Sequence, residues 1–199
     1  MTRRLVLAVA VVVVATLSGC AEDVAPAARI GESIEIANTD LMAEAARWAA
    51  SPTLIAQLQI TDVGGAGVGS YSTQFIDFVL TTRISFSLHN AQFRTLGLEL
   101  TDKELADART GLFADPATTA TVLDELGRSY ADRLVRDAAR QFAVQQSMAD
   151  GYQAWQLQAF TGTDIEVNPR YGTWDSQQGG VTPPPGPQPA RVGSLLAGT

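Results

Sequence analysis

TQFIDFVLTTRISFSLHNAQFRTL, residues 73–96, is the stretch on which the fold of this 199-residue chain depends. Its apolar side chains recur every three or four residues, as in Phe75, Val79, Phe86 and Phe93, and this spacing predicts one long helix. A second apolar row widens the first one: Ile76, Leu80, Ile84 and Leu88. A helix that is apolar around so much of its circumference is expected to be central in the fold, or to form one wall of a binding groove.

Helix-start signals flank this segment on both sides. Ser51-Pro52 places a capping serine before a proline at the first helical position, and Asp115-Pro116 repeats the pattern. Thr101-Asp102-Lys103-Glu104 is a capping box, in which the threonine and glutamate side chains satisfy each other's backbone amides. From Pro116 to about Phe160 the pattern stays helical, with a break near Gly127 and a possible kink at Gly151. We therefore predict a mainly α, elongated domain of four to five helices.

Two short alternating segments predict a small sheet. Residues 29–36, where Ile34 and Ile36 alternate with polar residues and Gly31-Glu32 could turn, predict a short strand or hairpin near the start of the domain, and Asp164-Ile165-Glu166-Val167 predicts a strand near its end. Their antiparallel pairing would join the two ends of the domain in a two- or three-stranded sheet. We place the folded domain at residues 28–175. The Pro/Gly-rich residues 176–199 are predicted to form a disordered tail.

The amino terminus has the build of an export signal, which we assign to residues 1–19. Arg3 and Arg4 precede an apolar run over residues 5–15, which is shorter than the about 20 residues that a membrane span needs. The segment ends in Leu17-Ser18-Gly19-Cys20, which resembles the bacterial lipobox, where a cysteine receives lipid (with acyl chains such as palmitate) and becomes the first residue. Residues 20–27 would then be a lipidated tether that holds the protein on the extracytoplasmic face of the cell membrane. The alternative is an uncleaved anchor helix with a chance cysteine.

Composition argues against several classes of function. The formal net charge of −7, with no basic cluster, disfavours nucleic-acid binding. Cys20 and His89 are the only residues of their kinds, so a zinc site of cysteines and histidines is excluded. The glycine-rich residues 63–70 fit neither a phosphate-binding loop nor a dinucleotide fingerprint, which predicts no nucleotide partner. We expect no metal, no cofactor and no enzymatic activity, and we interpret His89 as structural or groove-lining.

The order of the motifs carries a resemblance to a known family. The domain opens with the segment Ala28-Arg29-Ile30-Gly31-Glu32-Ser33-Ile34. Two helices are joined by the segment Leu96-Gly97-Leu98-Glu99-Leu100-Thr101-Asp102-Lys103-Glu104-Leu105. The domain closes with the segment Val167-Asn168-Pro169-Arg170-Tyr171-Gly172-Thr173-Trp174. This order resembles the SurA amino-terminal domain family, the helical part of exported parvulin-type chaperones and PrsA-like foldases, which is similar in fold to the trigger-factor peptide-binding domain. Phe160 and Asp164 are nearly adjacent, which leaves no room for the prolyl isomerase domain. The resemblance therefore implies binding of unfolded polypeptides without isomerase catalysis.

Two functional hypotheses follow, beside the plain alternative that the apolar residues only form a core. The first is an ATP-independent chaperone lipoprotein that binds unfolded or partly folded exported proteins. The second is an adaptor or structural lipoprotein that binds one specific envelope protein. Either would use an apolar groove, for which we predict the following lining residues: Phe75, Phe78, Val79, Phe86, His89, Phe93, Phe142, Met148, Tyr152 and Trp155.

Overall fold

The computed structural model describes residues 25–65 and 70–184. The helices are α1 (Asn38–Ala49), α2 (Pro52–Gln57), α3 (Thr73–Thr95), α4 (Asp102–Gly111), α5 (Pro116–Glu125), α6 (Arg128–Met148) and α7 (Tyr152–Gly162). The strands are β1 (Ala28–Ile30), β2 (Ile34–Ile36), β3 (Ile165–Val167), β4 (Thr173–Asp175) and β5 (Gly180–Thr182). The mainly helical class is confirmed. The predicted signal peptide, the predicted lipid-attachment site at Cys20, the first part of the tether and the tail from residue 185 onward lie outside the described residues.

The helix starts lie where the capping signals predict them. The Ser51 side chain accepts a hydrogen bond from the Leu54 amide at the start of α2, and the Asp115 carboxylate accepts two at the start of α5. The capping box of α4 is complete, with Thr101 and Glu104 bonded reciprocally. Each cap satisfies amides that have no partner within the helix, so these boundaries are set by local chemistry.

The described residues contain seven α-helices, which corrects the prediction of four to five. The short α2 is a separate helix because Ser51 and Pro52 restart the chain after α1. The predicted helical run from Pro116 to Phe160 is divided into three, by Gly127 and by a single 3-10 turn over Ala149–Gly151. Ala149 has a φ of 43°, which interrupts α6 before the predicted kink at Gly151.

The predicted sheet between the two ends of the domain is confirmed. Strand β1 lies between β2 and β3 and pairs antiparallel with both, so that Ile30 faces Ile34 on one side and Ile165 on the other. The Asn168 side chain donates a hydrogen bond to the Pro26 carbonyl beside this sheet. The two ends of the described chain are thereby held together.

The folded part extends beyond the predicted boundary at residue 175. Strands β4 and β5 form an antiparallel hairpin over residues that we predicted as tail. Gly179 adopts a φ of +64° in its turn, and the Val181 amide donates to Thr81 Oγ1 on α3 at 2.9 Å. The Trp174 ring packs edge-on against Phe160. These contacts to distant residues stabilise a segment whose composition alone is typical of disorder.

Helix α3 lies at the centre of the main hydrophobic core. Its buried side chains Phe75, Val79, Leu80 and Ile84 are at most 1 % exposed. They belong to one cluster with residues from α1, the three-stranded sheet, α5 and α6, among them Leu41, Trp48, Ile30, Ile36, Val122 and Leu134. A second cluster joins α4, α5 and α6 through Ala108, Leu123, Ala131, Val135 and Ala139.

A buried polar network connects α1, α3 and α6 across this core. Glu44 is 3 % exposed, and its carboxylate accepts hydrogen bonds from Tyr130 at 2.7 Å and from Arg133 at 3.0 Å. Tyr130 in turn accepts a bond from the Trp48 indole. Arg83 on α3 lies 3.9 Å from Glu44 and 3.6 Å from the buried carboxylate of Asp137. Both buried carboxylates are therefore compensated by arginines from other turns or other helices.

We predict that Glu44→Ala lowers the free energy of unfolding by about 3–5 kcal/mol, because it leaves Arg133 and Tyr130 without their buried partner. Urea unfolding followed by circular dichroism measures the change. Glu35→Ala is the matched control, since Glu35 and Arg29 form an exposed ion pair worth about 1 kcal/mol or less. Equal losses in the two variants would contradict a dominant role for the buried network.

Asp77 on α3 is a buried carboxylate outside this network. It is 5 % exposed, and neither of its oxygens has a hydrogen-bond partner within the part of the chain that the structure describes. Burial raises the pKa of Asp77 from 3.8 to about 7. The folded protein therefore retains a proton here at pH values where an unfolded aspartate has released it.

The pH dependence of stability follows from this raised pKa. Between about pH 4 and pH 7 folding is linked to proton uptake by Asp77, so its contribution to stability declines as pH rises. We expect Asp77→Asn to match the wild type near pH 4 and to exceed it at pH 8, by on the order of 2–4 kcal/mol. Thermal unfolding across this pH range measures the difference. Asp124→Asn, an exposed change on α5, is the matched control, and a constant difference between Asp77→Asn and the wild type would refute the assignment.

Candidate functional site

The predicted groove residues on the first half of α3 pack mostly into the hydrophobic core. Phe75 and Val79 are buried in the main core, and Phe86 is partly buried against it. Phe78 is 40 % exposed but lies on the side of α3 that faces α1, where its ring contacts Trp48 edge-on at 5.9 Å. Helical spacing placed these residues correctly on one helix, while the packing of α1 and the sheet covers most of them.

The predicted residues from the second half of α3, from α6 and from α7 meet in a third cluster. Phe93 is buried there together with Ala143 and Val144, and the partly buried side chains Met148, Tyr152 and Trp155 pack against them. Phe142 points elsewhere and is 43 % exposed. The structure thus brings together four of the predicted residues, and His89 joins them by contacts of its own.

His89 connects α3 to α7. Its Nδ1 lies 2.7 Å from the Ser85 carbonyl, to which only a protonated nitrogen can donate, so Nε2 accepts from the Tyr152 hydroxyl at 2.8 Å. The Trp155 ring lies edge-on at 5.1 Å. Burial lowers the pKa of His89, which favours the neutral ring that this geometry requires. The histidine is a structural residue that positions α7.

Helix α7 is the least buried of the α-helices in the described residues. None of its residues is buried, it carries no charged side chain, and Leu157 is 60 % exposed. Its anchors are Tyr152 and Trp155 near the start and Phe160 near the end, where the Trp174 indole donates to the Phe160 carbonyl at 3.2 Å. Between these anchors α7 stands away from α3 and leaves an open groove.

We call this space the α3–α7 groove, a concavity of about 380 Å³. Helix α3 contributes one row of side chains, Leu88, Ala91, Gln92 and Thr95. Helix α7 and the residue after it contribute the facing row, Trp155, Gln158, Ala159, Gly162 and Thr163. None of these described lining residues is ionisable. The volume lies within the range of about 300–1,000 Å³ that is usual for ligand sites.

The chemistry of the α3–α7 groove is that of an uncharged, amphipathic surface. Leu88 and Trp155 supply apolar area, and the small side chains of Ala91 and Ala159 leave the space between the two helices unfilled. The amides of Gln92 and Gln158 carry donors and an acceptor, a set that matches the peptide backbone, and Gln92 Nε2 already donates one bond, to Met148 Sδ at 3.8 Å. Such a surface can hold an uncharged segment of extended chain, and it offers no counter-charge to an ionic ligand.

A second concavity, the α4–α6 pocket, has different walls. It measures about 140 Å³ and is lined by Glu104, Asp107 and Ala108 of α4 and by Ala139, Phe142, Ala143 and Gln146 of α6. Phe142, one of the predicted groove residues, forms its exposed apolar side. Of the predicted groove residues, Trp155 lines the α3–α7 groove and Phe142 lines the α4–α6 pocket.

Sequence reasoning missed most of the α3–α7 groove because it followed large apolar residues. The signal that was present is a pair of rows with i, i+3, i+4, i+7 spacing, residues 88, 91, 92 and 95 on α3 and residues 155, 158, 159 and 162 on α7. Their small and amide side chains are common on any helix surface, so the pattern has meaning only once α3 and α7 are known to lie side by side.

Comparison of the chain with protein-family models, with curated proteins and with solved structures found no match. In the described ranges 25–65 and 70–184, no helix is both long and apolar enough to cross a membrane. Within the same residues, no group of three or more histidine, cysteine, aspartate or glutamate side chains is arranged to hold a metal ion.

We predict that Tyr152→Phe loosens α7, because it removes the hydrogen bond to buried His89 Nε2 and leaves that atom unsatisfied. The expected cost is about 1–2 kcal/mol, or a roughly tenfold faster amide hydrogen exchange in α7. Hydrogen–deuterium exchange with mass spectrometry measures it helix by helix. Gln153→Ala, on the exposed side of the same helix, serves as the control. Unchanged exchange in α7 of Tyr152→Phe would mean that the other anchors suffice.

Proposed function

We propose that the protein is a membrane-anchored extracytoplasmic lipoprotein that acts as an ATP-independent chaperone. It binds unfolded exported polypeptides and has no prolyl isomerase activity. The observation that carries this proposal is the α3–α7 groove, an open and uncharged concavity whose amides and apolar side chains complement an extended polypeptide. The motif order that resembles the SurA amino-terminal domain family supports the same reading.

The sequence of the amino terminus supports the proposed location on the extracytoplasmic face of the membrane. The lipobox-like residues 17–20 would attach lipid at Cys20, and removal of Arg3 and Arg4 with the signal peptide would change the formal charge from −7 to −9. Two or three acyl chains anchor a protein stably, whereas one gives only marginal binding. Repulsion between an acidic domain and anionic lipid headgroups would keep the groove accessible to chains in the aqueous phase.

The groove sets the mode of binding. A polypeptide held by a few apolar contacts and exchangeable amide hydrogen bonds dissociates by mass action, so release needs no nucleotide. Because α7 is attached by few anchors, the width of the groove can adapt to side chains of different size. An adaptor for one folded envelope protein remains the alternative function, and it differs from the chaperone in its selectivity.

Light scattering from an unfolded, aggregation-prone protein tests the proposal. The full chain, reconstituted in nanodiscs with empty nanodiscs as the blank, is expected to suppress aggregation in a concentration-dependent way. Thr95→Asp with Gln158→Asp places two unpaired charges at the rim of the α3–α7 groove and is expected to weaken suppression about tenfold.

The matched control is Gln74→Asp with Gln153→Asp, which adds the same charges to exposed positions of the same two helices away from the groove. It is expected to behave as the wild type, with both variants checked for native circular dichroism. Absence of suppression by the wild type at several-fold excess would contradict the chaperone proposal and favour the adaptor. Equal losses in the two variants would contradict the placement of the site.

A further inference from the structure

The α4–α6 pocket lies beside the place where α4 and α6 contact each other through alanines. Helices α4 and α6 run antiparallel, since Arg109 pairs with Asp132 near one end while Glu104 and Gln146 line the same pocket near the other. At the contact, Ala108 and Ala139 are each 1 % exposed and allow the two backbones to approach closely. The pocket beside these alanines is open to solvent at Phe142, which is 43 % exposed.

The size of the pocket suits one apolar side chain. Its volume of about 140 Å³ is close to that of an engineered cavity of about 150 Å³ that binds benzene. Ala143 forms part of its floor, and Phe142 stands beside the opening with 43 % of its surface exposed. Exposed aromatic side chains such as this phenylalanine are enriched in protein interfaces relative to the rest of the surface.

The opposite side of the pocket is acidic. Glu104 accepts bonds from the Thr101 amide at 2.7 Å and from the Thr101 hydroxyl at 2.8 Å, which fixes its position and lowers its pKa. Asp107 lies one turn further and pairs with Lys103, but both members of this pair are largely exposed. A cation from a ligand can replace Lys103 at small cost, because exposed ion pairs contribute little. None of the described residues that line the pocket is basic.

We propose that the α4–α6 pocket binds one apolar side chain of a polypeptide whose adjacent residue is arginine or lysine. The apolar side chain packs on Phe142 and the alanines, and the cation pairs with Asp107 and lies near Glu104. Charge complementarity selects this occupant, since the carboxylates repel acidic peptides and anionic lipid headgroups alike. The site is separate from the α3–α7 groove and does not depend on the function proposed for that groove.

Methyl NMR of the full chain in nanodiscs, with alanine methyl groups labelled, tests this proposal. The probe is the peptide acetyl-Gly-Leu-Arg-Gly-amide, added to millimolar concentration because one side chain gives weak binding. We expect shifts at the methyls of Ala108, Ala139 and Ala143. The matched peptides with Leu-Glu or Ser-Arg in place of Leu-Arg are expected to bind at least threefold more weakly.

Substitutions test whether the Asp107 carboxylate and the Phe142 ring contribute to peptide binding in a protein that remains folded. Asp107→Asn is expected to weaken binding of the Leu-Arg peptide about threefold to fivefold at low salt, and 0.5 M salt is expected to do the same to the wild type. Asp102→Asn changes an exposed carboxylate on the same helix that does not line the pocket, and is expected to have little effect. Phe142→Ala, an exposed truncation, is expected to weaken binding without unfolding the protein.

Several results would overturn the proposal. Equal shifts with the Leu-Arg and Leu-Glu peptides would do so, as would equal effects of Asp107→Asn and Asp102→Asn. Shifts confined to Ala91 and Ala159 would place the peptide in the α3–α7 groove instead, since both of these alanines line it. The same spectrum therefore reports on both sites, and failure at one is distinguished from failure at the other.

Discussion

The carboxylate of Glu44 is the group around which the helices are arranged. A buried charge of this kind is costly unless it is paired, and here Tyr130 and Arg133 of α6 and Arg83 of α3 surround it. The requirement orients three helices at once, because each partner must reach the same two oxygen atoms. Arg83 extends the constraint to Asp137, which also accepts a bond from Asn90. Apolar burial holds α1, α3 and α6 together, and this network specifies how they are aligned.

Helix α3 has two halves with different consequences for function. The first half is enclosed by α1, the small sheet and the β4–β5 hairpin, so its large side chains serve the core. The second half packs mainly on α6 and is approached by α7 through His89, Tyr152 and Trp155. Because α7 buries none of its residues completely, this end of the molecule retains surface that a ligand can use. The side chains that form the main core and those that line the α3–α7 groove thus occupy different lengths of the same helix.

The two concave surfaces, one between α3 and α7 and the other between α4 and α6, differ in chemistry. The α3–α7 groove is neutral and wide, which suits many uncharged segments. The α4–α6 pocket is small, with an acidic side and one exposed aromatic ring, which suits a narrower set of ligands. An extended polypeptide that used both surfaces would be selected for an apolar stretch and for a nearby basic residue. In an acidic protein, that combination would favour basic clients through long-range attraction as well as local pairing.

The sequence by itself determined the elements whose causes are local. The caps at Ser51, Thr101 and Asp115 act within three residues, and the spacing of residues 73–96 defines the central helix, so these features are readable without any tertiary information. The pairing of β3 with the segment at residues 29–36 was also predicted, although the alternation that indicated it lies in β2 and the strand that pairs with β3 is β1. Only the tertiary structure decided the rest. Phe75 and Phe142 each lie in the apolar pattern of a helix, yet Phe75 is buried and Phe142 is exposed. The difference arises because burial depends on which distant helix packs above each ring. The candidate groove depends on Gln92, Gln158 and small residues that carry no distinctive pattern, and the β4–β5 hairpin depends on contacts to Thr81 and Phe160. The free energy of such long-range contacts depends on residues far away in the sequence, so the composition of a short segment cannot predict them.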